Sequence, residues 1–190
     1  MVLTNANVSL RSFDLDKASF FQSTAYTGGN LISNHNLFGS TLNLSNSTSQ
    51  YTLNGVDMVN STINHTSVTT GTLIGTNLYI YGGSTINHQT GAGNLSLNRV
   101  TIDGASSITH SIGTISISSY RILGGSQVIA QTTAGSINLN NGYLDAQSTI
   151  NNQSACAING TRLEVDRASN ITCQSGSTGT QTLTSTKFDN

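Results

Sequence analysis

Three histidines, His65, His88 and His110, recur at intervals of 23 and 22 residues in closely similar surroundings: Thr62-Ile63-Asn64-His65, Thr85-Ile86-Asn87-His88 and Ser107-Ile108-Thr109-His110. Imidazoles gathered by a repeat could ligate a transition metal, because neutral ring nitrogens suit zinc, copper and nickel. They could equally form a polar ladder of hydrogen bonds or stacked rings. The same repeat position elsewhere holds Ser23, Leu44, Ala130, Asn152 and Cys173, a mixture that predicts a turn-facing site and favours the ladder. Carboxylates give a second candidate. Asp16, Asp103, Asp145 and Asp166 each lie three residues before a repeated serine, and Asp145 and Asp166 fall on consecutive repeats with Arg162 and Arg167 nearby. Two carboxylates about 5 Å apart on neighbouring strands could bind a cation or share a proton. Ile102-Asp103-Gly104 and Leu144-Asp145-Ala146 also have the form of turns opened by an aspartate side chain. Cys156 and Cys173 are either one disulfide or two small buried residues. There is no Ser-His-Asp arrangement, phosphate-cradling glycine loop or paired Cys-x-x-Cys, so no catalytic residue and no cofactor is assigned.

These residues are positioned by a repeat. Ser19, Ser40, Ser61, Ser84, Ser106, Ser126, Ser148 and Ser169 follow one another at 20 to 23 residues. Two places after each stands an apolar side chain: Phe21, Leu42, Ile63, Ile86, Ile108, Val128, Ile150, Ile171. Between residues 71 and 175 further pairs align, such as Leu95 and Leu97, Val100 and Ile102, Ile115 and Ile117, Ile137 and Leu139. One polar residue separates each pair, the period of a strand with one buried face. The chain is therefore expected to be all-β. It should form a single parallel β-solenoid domain over residues 1–190, about eight rungs of ~21 residues with three short strands each. A single coil cannot bury its few aliphatic groups, but coils stacked at ~4.8 Å bring like side chains into files and satisfy the backbone. The absence of proline fits, since proline would remove a ladder hydrogen bond. Asn34 and Asn36 fall where apolar residues are expected, so a loop or shifted register is predicted there.

Composition narrows the function. Only 8% of residues are charged and the net charge is -1, with no basic stripe for nucleic acid. No apolar run reaches the ~20 residues of a membrane-spanning helix. Met1 to Leu10 lacks the charged and apolar regions of a secretion signal.

The paired apolar residues, the Gly or Ala turn and the Ser-x-Ile step resemble the right-handed parallel β-helix, or pectin-lyase-like, superfamily, whose architecture is shared by solenoid adhesins and viral fibre or spike domains. Enzymes of that resemblance cleave acidic polysaccharides with clustered aspartates, often with Ca²⁺, helped by Arg or Lys. Their adjacent-Asp, Gly-His-Gly and Arg-x-Lys signatures are missing here. Asp145, Asp166 and Arg162 are what remains for such a role.

On the Ser-x-Ile strand the residues flanking the buried one must point outward. They form a binding-face candidate of Thr41, Asn43, Thr62, Asn64, Thr85, Asn87, Ser107, Thr109, Thr149 and Asn151, interrupted by Gln127 and Ile129. Such an uncharged lattice fits a solvated face with asparagine ladders, a contact for glycans or another solenoid, or the Thr-x-Asn ranks of ice-binding solenoids. Unpaired end strands template further pairing. The expectation is a non-enzymatic fibre, filament subunit or adhesin domain, outside the cell or on a cell or virion surface. Its partners would be itself, end to end or laterally, or surface glycans, with no nucleic acid and no membrane insertion. The alternatives are a polysaccharide-binding or -cleaving β-helix and an ice-binding protein.

Overall fold

From Asn30 to Cys173 each lap of the chain consists of one long and one short strand. The computed structural model describes residues 10–11, 14–16, 20–24, 30–39, 41–45, 50–67, 70–131, 135–153, 157–166, 168–173, 180–184 and 186–189. The long strands, such as Leu73–Tyr81, Leu95–Ile102, Ile115–Ile122 and Ser136–Leu144, build an eleven-stranded sheet. The short ones, such as Thr62–Ser67, Thr85–Thr90, Ser107–His110, Gln127–Ala130 and Thr149–Asn152, build an eight-stranded sheet. Every pairing joins a strand to its counterpart one lap away, and all are parallel. The fold is an all-β parallel solenoid with no helix among the described residues. Its short-strand sheet has the eight members the serine phase predicts, while the two sheets together close about six turns of about 22 residues.

Three straight segments per lap are present, but the expected second and third strands run together as one bent strand. The bend falls on a column of residues in the left-handed region: Gly55, Asn77, Arg99, Ser119, Asn141 and Arg162, with φ between 53 and 61°. A single residue there redirects the chain without ending the ladder, because the next residue resumes pairing in phase.

The predicted aliphatic file is continuous. Leu42, Ile63, Ile86, Ile108, Val128 and Ile150 are Cα partners in sequence and fully buried, and Ile171, partly buried, continues the row. Files from the long strands face it across the interior: Leu73, Leu95, Ile115, Ile137 and Ile158, and beyond the bend Met58, Ile80, Ile102, Ile122, Leu144 and Val165. The first laps keep this register. Asn34 sits opposite the bend residue Gly55, and Leu37 pairs with Met58 and is buried. The loop or shifted register expected at Asn34 and Asn36 is not found, since both lie within the strand Asn30–Phe38. They fall out of the serine phase because the following turn is one residue shorter, with Gly39 or Asn60 at positive φ where later laps use two residues, such as Gly82 and Gly83.

The repeated serine has a structural task. Ser61, Ser84, Ser106, Ser126 and Ser148 are buried where the long strand turns into the short one. The Ser84 hydroxyl accepts from the Ser61 amide at 3.1 Å, Ser106 from Ser84 at 3.1 Å, Ser126 from Ser106 at 3.2 Å and Ser169 from Ser148 at 3.1 Å. Ser84, Ser106 and Ser148 also donate to the carbonyl three residues back, at 2.5 to 2.7 Å. Each such bond contributes about 1 kcal/mol, and a buried amide left without it would cost more. Serine recurs because a side chain there must both donate and accept in little space.

Candidate functional site

The Thr/Asn face is built as the alternation requires. Thr41, Thr62, Thr85 and Ser107 stand in one row and Asn43, Asn64, Asn87 and Thr109 in the next, with Thr149 and Asn151 beyond Gln127 and Ile129. All ten candidate residues are half-buried, because each is shaded by its neighbours one lap above and below. Their polar groups bond to one another. The Asn64 amide donates to Asn43 Oδ1 at 2.8 Å, the Asn87 amide to Asn64 Oδ1 at 2.9 Å, and the Thr85 and Ser107 hydroxyls lie 3.3 Å apart. An amide ladder of this kind ties laps together and leaves fewer free donors for a ligand. No short strand carries a charged residue.

The histidine column is internal rather than turn-facing. His65, His88 and His110 lie two residues beyond Ile63, Ile86 and Ile108, on the same side of the strand, and are fully buried. Successive ring centroids are 4.8 Å apart. His88 Nδ1 and His110 Nδ1 approach to 2.7 Å, so these nearly parallel rings meet edge to edge through one shared proton. His88 Nε2 faces the Gly71 carbonyl at 3.2 Å. Neither nitrogen of His65 has a hydrogen-bond partner, and the ring meets Tyr51 edge-on at 5.1 Å. A zinc ion held tetrahedrally at ~2.0–2.1 Å from each of two such nitrogens would set them about 3.3 Å apart. The His88–His110 spacing fits a proton instead. Among the described residues no group of three His, Cys, Asp or Glu side chains is placed to hold a metal ion.

Burial sets the chemistry of the column. Desolvation lowers His65 to about 4. It lowers His88 to about 3, assisted by its neighbours His65 and His110 and opposed by the Gly71 carbonyl. It also lowers His110 to about 4, opposed by the Gly113 backbone. The rings are neutral at physiological pH.

The carboxylate candidates do not converge on Arg162. Asp145 opens its turn, accepting from the Ala146 amide at 2.6 Å and from the Tyr143 hydroxyl at 3.1 Å, and Asp103 accepts from the Gly104 amide at 2.7 Å. Asp166 lies one lap from Asp145, next to the pair Leu144 and Val165. Arg162 occupies a bend position and reaches Asn141 Oδ1 at 3.5 Å. It lines a shallow groove of about 520 Å³ with Ser96, Ser116, Asn138, Asn140 and Thr161, which neither aspartate borders. The groove was hidden in the sequence, but the two-residue gap between Leu97 and Val100 marks the bend that forms it. Cys156, and with it the disulfide candidate, lies outside the described residues; Cys173 Sγ is 3.7 Å from the Asn152 amide. Arg167 and the anchors Ser19 and Ser40 also lie outside them.

Compared with family models, curated proteins and solved structures, the chain matches none. The parallel solenoid therefore rests on its own register and burial.

Proposed function

We propose that this solenoid is a non-enzymatic structural or adhesive module, a fibre, filament subunit or adhesin domain of the right-handed β-helix kind, working outside the cell or on a cell or virion surface. The observation supporting this reading is where the polar side chains go. Serine, asparagine and histidine bond from lap to lap, in ladders running along the rod, rather than converging on one point. Such a rod resists unfolding and proteolysis because each lap is held by its neighbours. An uncovered end strand of a solenoid offers ladder groups to a further copy.

Light scattering and negative-stain electron microscopy across a hundredfold range of concentration test the proposal. Rods longer than one chain, or capture on glycan-coated surfaces, are expected. A strictly monomeric protein that adheres to neither would end it. The groove beside Arg162 favours one second reading, polysaccharide binding. Cleavage of acidic glycans abolished by Asp145→Ala would replace the structural reading with an enzymatic one.

A further inference from the structure

Charge and exposed aromatic surface are sorted onto one side of the rod. The described charged side chains lie on the long strands from the bend onward or in the turns that follow, as with Asp57, Arg99, Asp103, Arg121, Glu164 and Lys187. Towards the last lap these charges meet one another. Lys187 pairs with Glu164 and Asp189, and Arg121 lies over the Tyr143 ring at 5.7 Å.

Among the described residues of the earlier laps no such ion pair is found. Tyr79 and Tyr81 project on this outer face with rings 6.2 Å apart and only 18° from parallel, and Tyr79 is 45% exposed. Asp57 is the Cα partner of Tyr79 one lap below, and Asp103 follows Ile102, the partner of Ile80, one lap above. Phe38, 42% exposed, extends the aromatic surface through Val59, its own partner and that of Tyr81. Among the described residues neither aspartate has an ion-pair partner. The grouping is tight enough that the Tyr81 hydroxyl is pushed up by burial and then by Asp57, Tyr79 and Asp103. Asp57 is itself pushed up by partial burial.

We propose that Tyr79 and Tyr81, flanked by Asp57 and Asp103, form a docking patch for the cationic side chains of a lysine- or arginine-bearing partner segment. Two parallel aromatic faces attract an ammonium or guanidinium group, and the two carboxylates, one on the lap below the tyrosines and one on the lap above, supply the opposite charge. Neutral ligands would gain only the rings. This face offers charge as well as rings, whereas in the threonine and asparagine ranks Asn43, Asn64, Asn87, Thr85 and Ser107 direct part of their bonding capacity to one another. The patch gives the adhesive reading a partner class, but it does not require the rod to self-assemble.

Titration of the full chain with an oligolysine peptide, with oligoglutamate and a neutral oligoglucan as comparisons, tests the proposal by amide-resonance shifts. Oligolysine should perturb residues around Asp57, Tyr79, Tyr81 and Asp103, with binding that weakens as salt rises. Tyr79→Ala with Tyr81→Ala should lower affinity about tenfold, and Asp57→Asn several-fold, with melting temperatures close to that of the unaltered chain. No oligolysine binding, binding indifferent to these substitutions, or preferential binding of the glucan at the patch would overturn it. A chain that binds oligolysine here yet never assembles or adheres to glycans would remove the fibre reading and leave this one standing.

Discussion

Acidification to about pH 5 is expected to open the solenoid at the laps carrying His65, His88 and His110. All three rings are buried and neutral, with folded values near 4, 3 and 4 against 6.5 for a free ring. A base whose folded value is depressed contributes stability that is complete above the unfolded value and lost as pH falls from 6.5 through the folded values. At pH 5 the unfolded chain has bound these protons and the folded chain has not, a difference of about 2 kcal/mol per ring and about 6 kcal/mol for the column. That is comparable with the whole stability of many domains. The groups packed on the column, Tyr51, Gly71 and Gly113, supply no anion to offset the charge. Circular dichroism and amide hydrogen exchange from pH 8 to 3 should show protection lost first between about residues 62 and 113. A triple variant, His65→Leu, His88→Leu and His110→Leu, has its model in Leu44, which occupies the same file. It should stay folded at least one pH unit lower. Coincident acid profiles for the two proteins would mean that the rings are not buried together.

A methyl group at Gly142 should cost about 1–3 kcal/mol, lowering the melting temperature by several degrees. Tyr120 and Gly142 are Cα partners one lap apart in the file that runs Leu78, Val100, Tyr120, Gly142, Leu163. The Tyr120 ring fills the space a side chain at 142 would take, and a Cβ there would stand 2.0 Å from Tyr120 Cζ. Large and absent side chains compensate across laps, keeping the interior filled. The coupling is the sharper test. Tyr120→Val leaves a void and Gly142→Ala fills part of it, so the double variant should lose about 1 kcal/mol less than the two single losses added together. Additive losses, or a neutral Gly142→Ala, would separate these two residues in space.

The lap length, the aliphatic file and the outward Thr and Asn rows were legible because serine and isoleucine recur in phase and strand alternation assigns their sides. The histidine column was misplaced because its mixed composition suggested a turn, although a residue two places beyond Ile86 must share its side. The bend was legible only as an unexplained two-residue gap, since Gly, Asn, Arg and Ser all occupy it and backbone conformation, not side-chain type, is what they share. The pairing of Tyr120 with Gly142 could not be read without the register, as neither residue means anything alone. The docking patch was missed for a related reason. Tyr79, Tyr81, Asp57 and Asp103 come from three laps and follow no repeat.

A pair of engineered cysteines tests directly whether each lap lies on the last. With Cys156 and Cys173 changed to serine, Thr85→Cys combined with Ser107→Cys puts thiols on Cα partners 22 residues apart. Adjacent strands at ~4.8 Å lie within the 4.4–6.8 Å that a disulfide spans. Thr85→Cys combined with Gln127→Cys puts them two laps apart, beyond reach. Mild oxidation should close the first pair nearly completely and the second hardly at all. Failure of the first pair to close, or equal closure of both, would contradict the stacked solenoid.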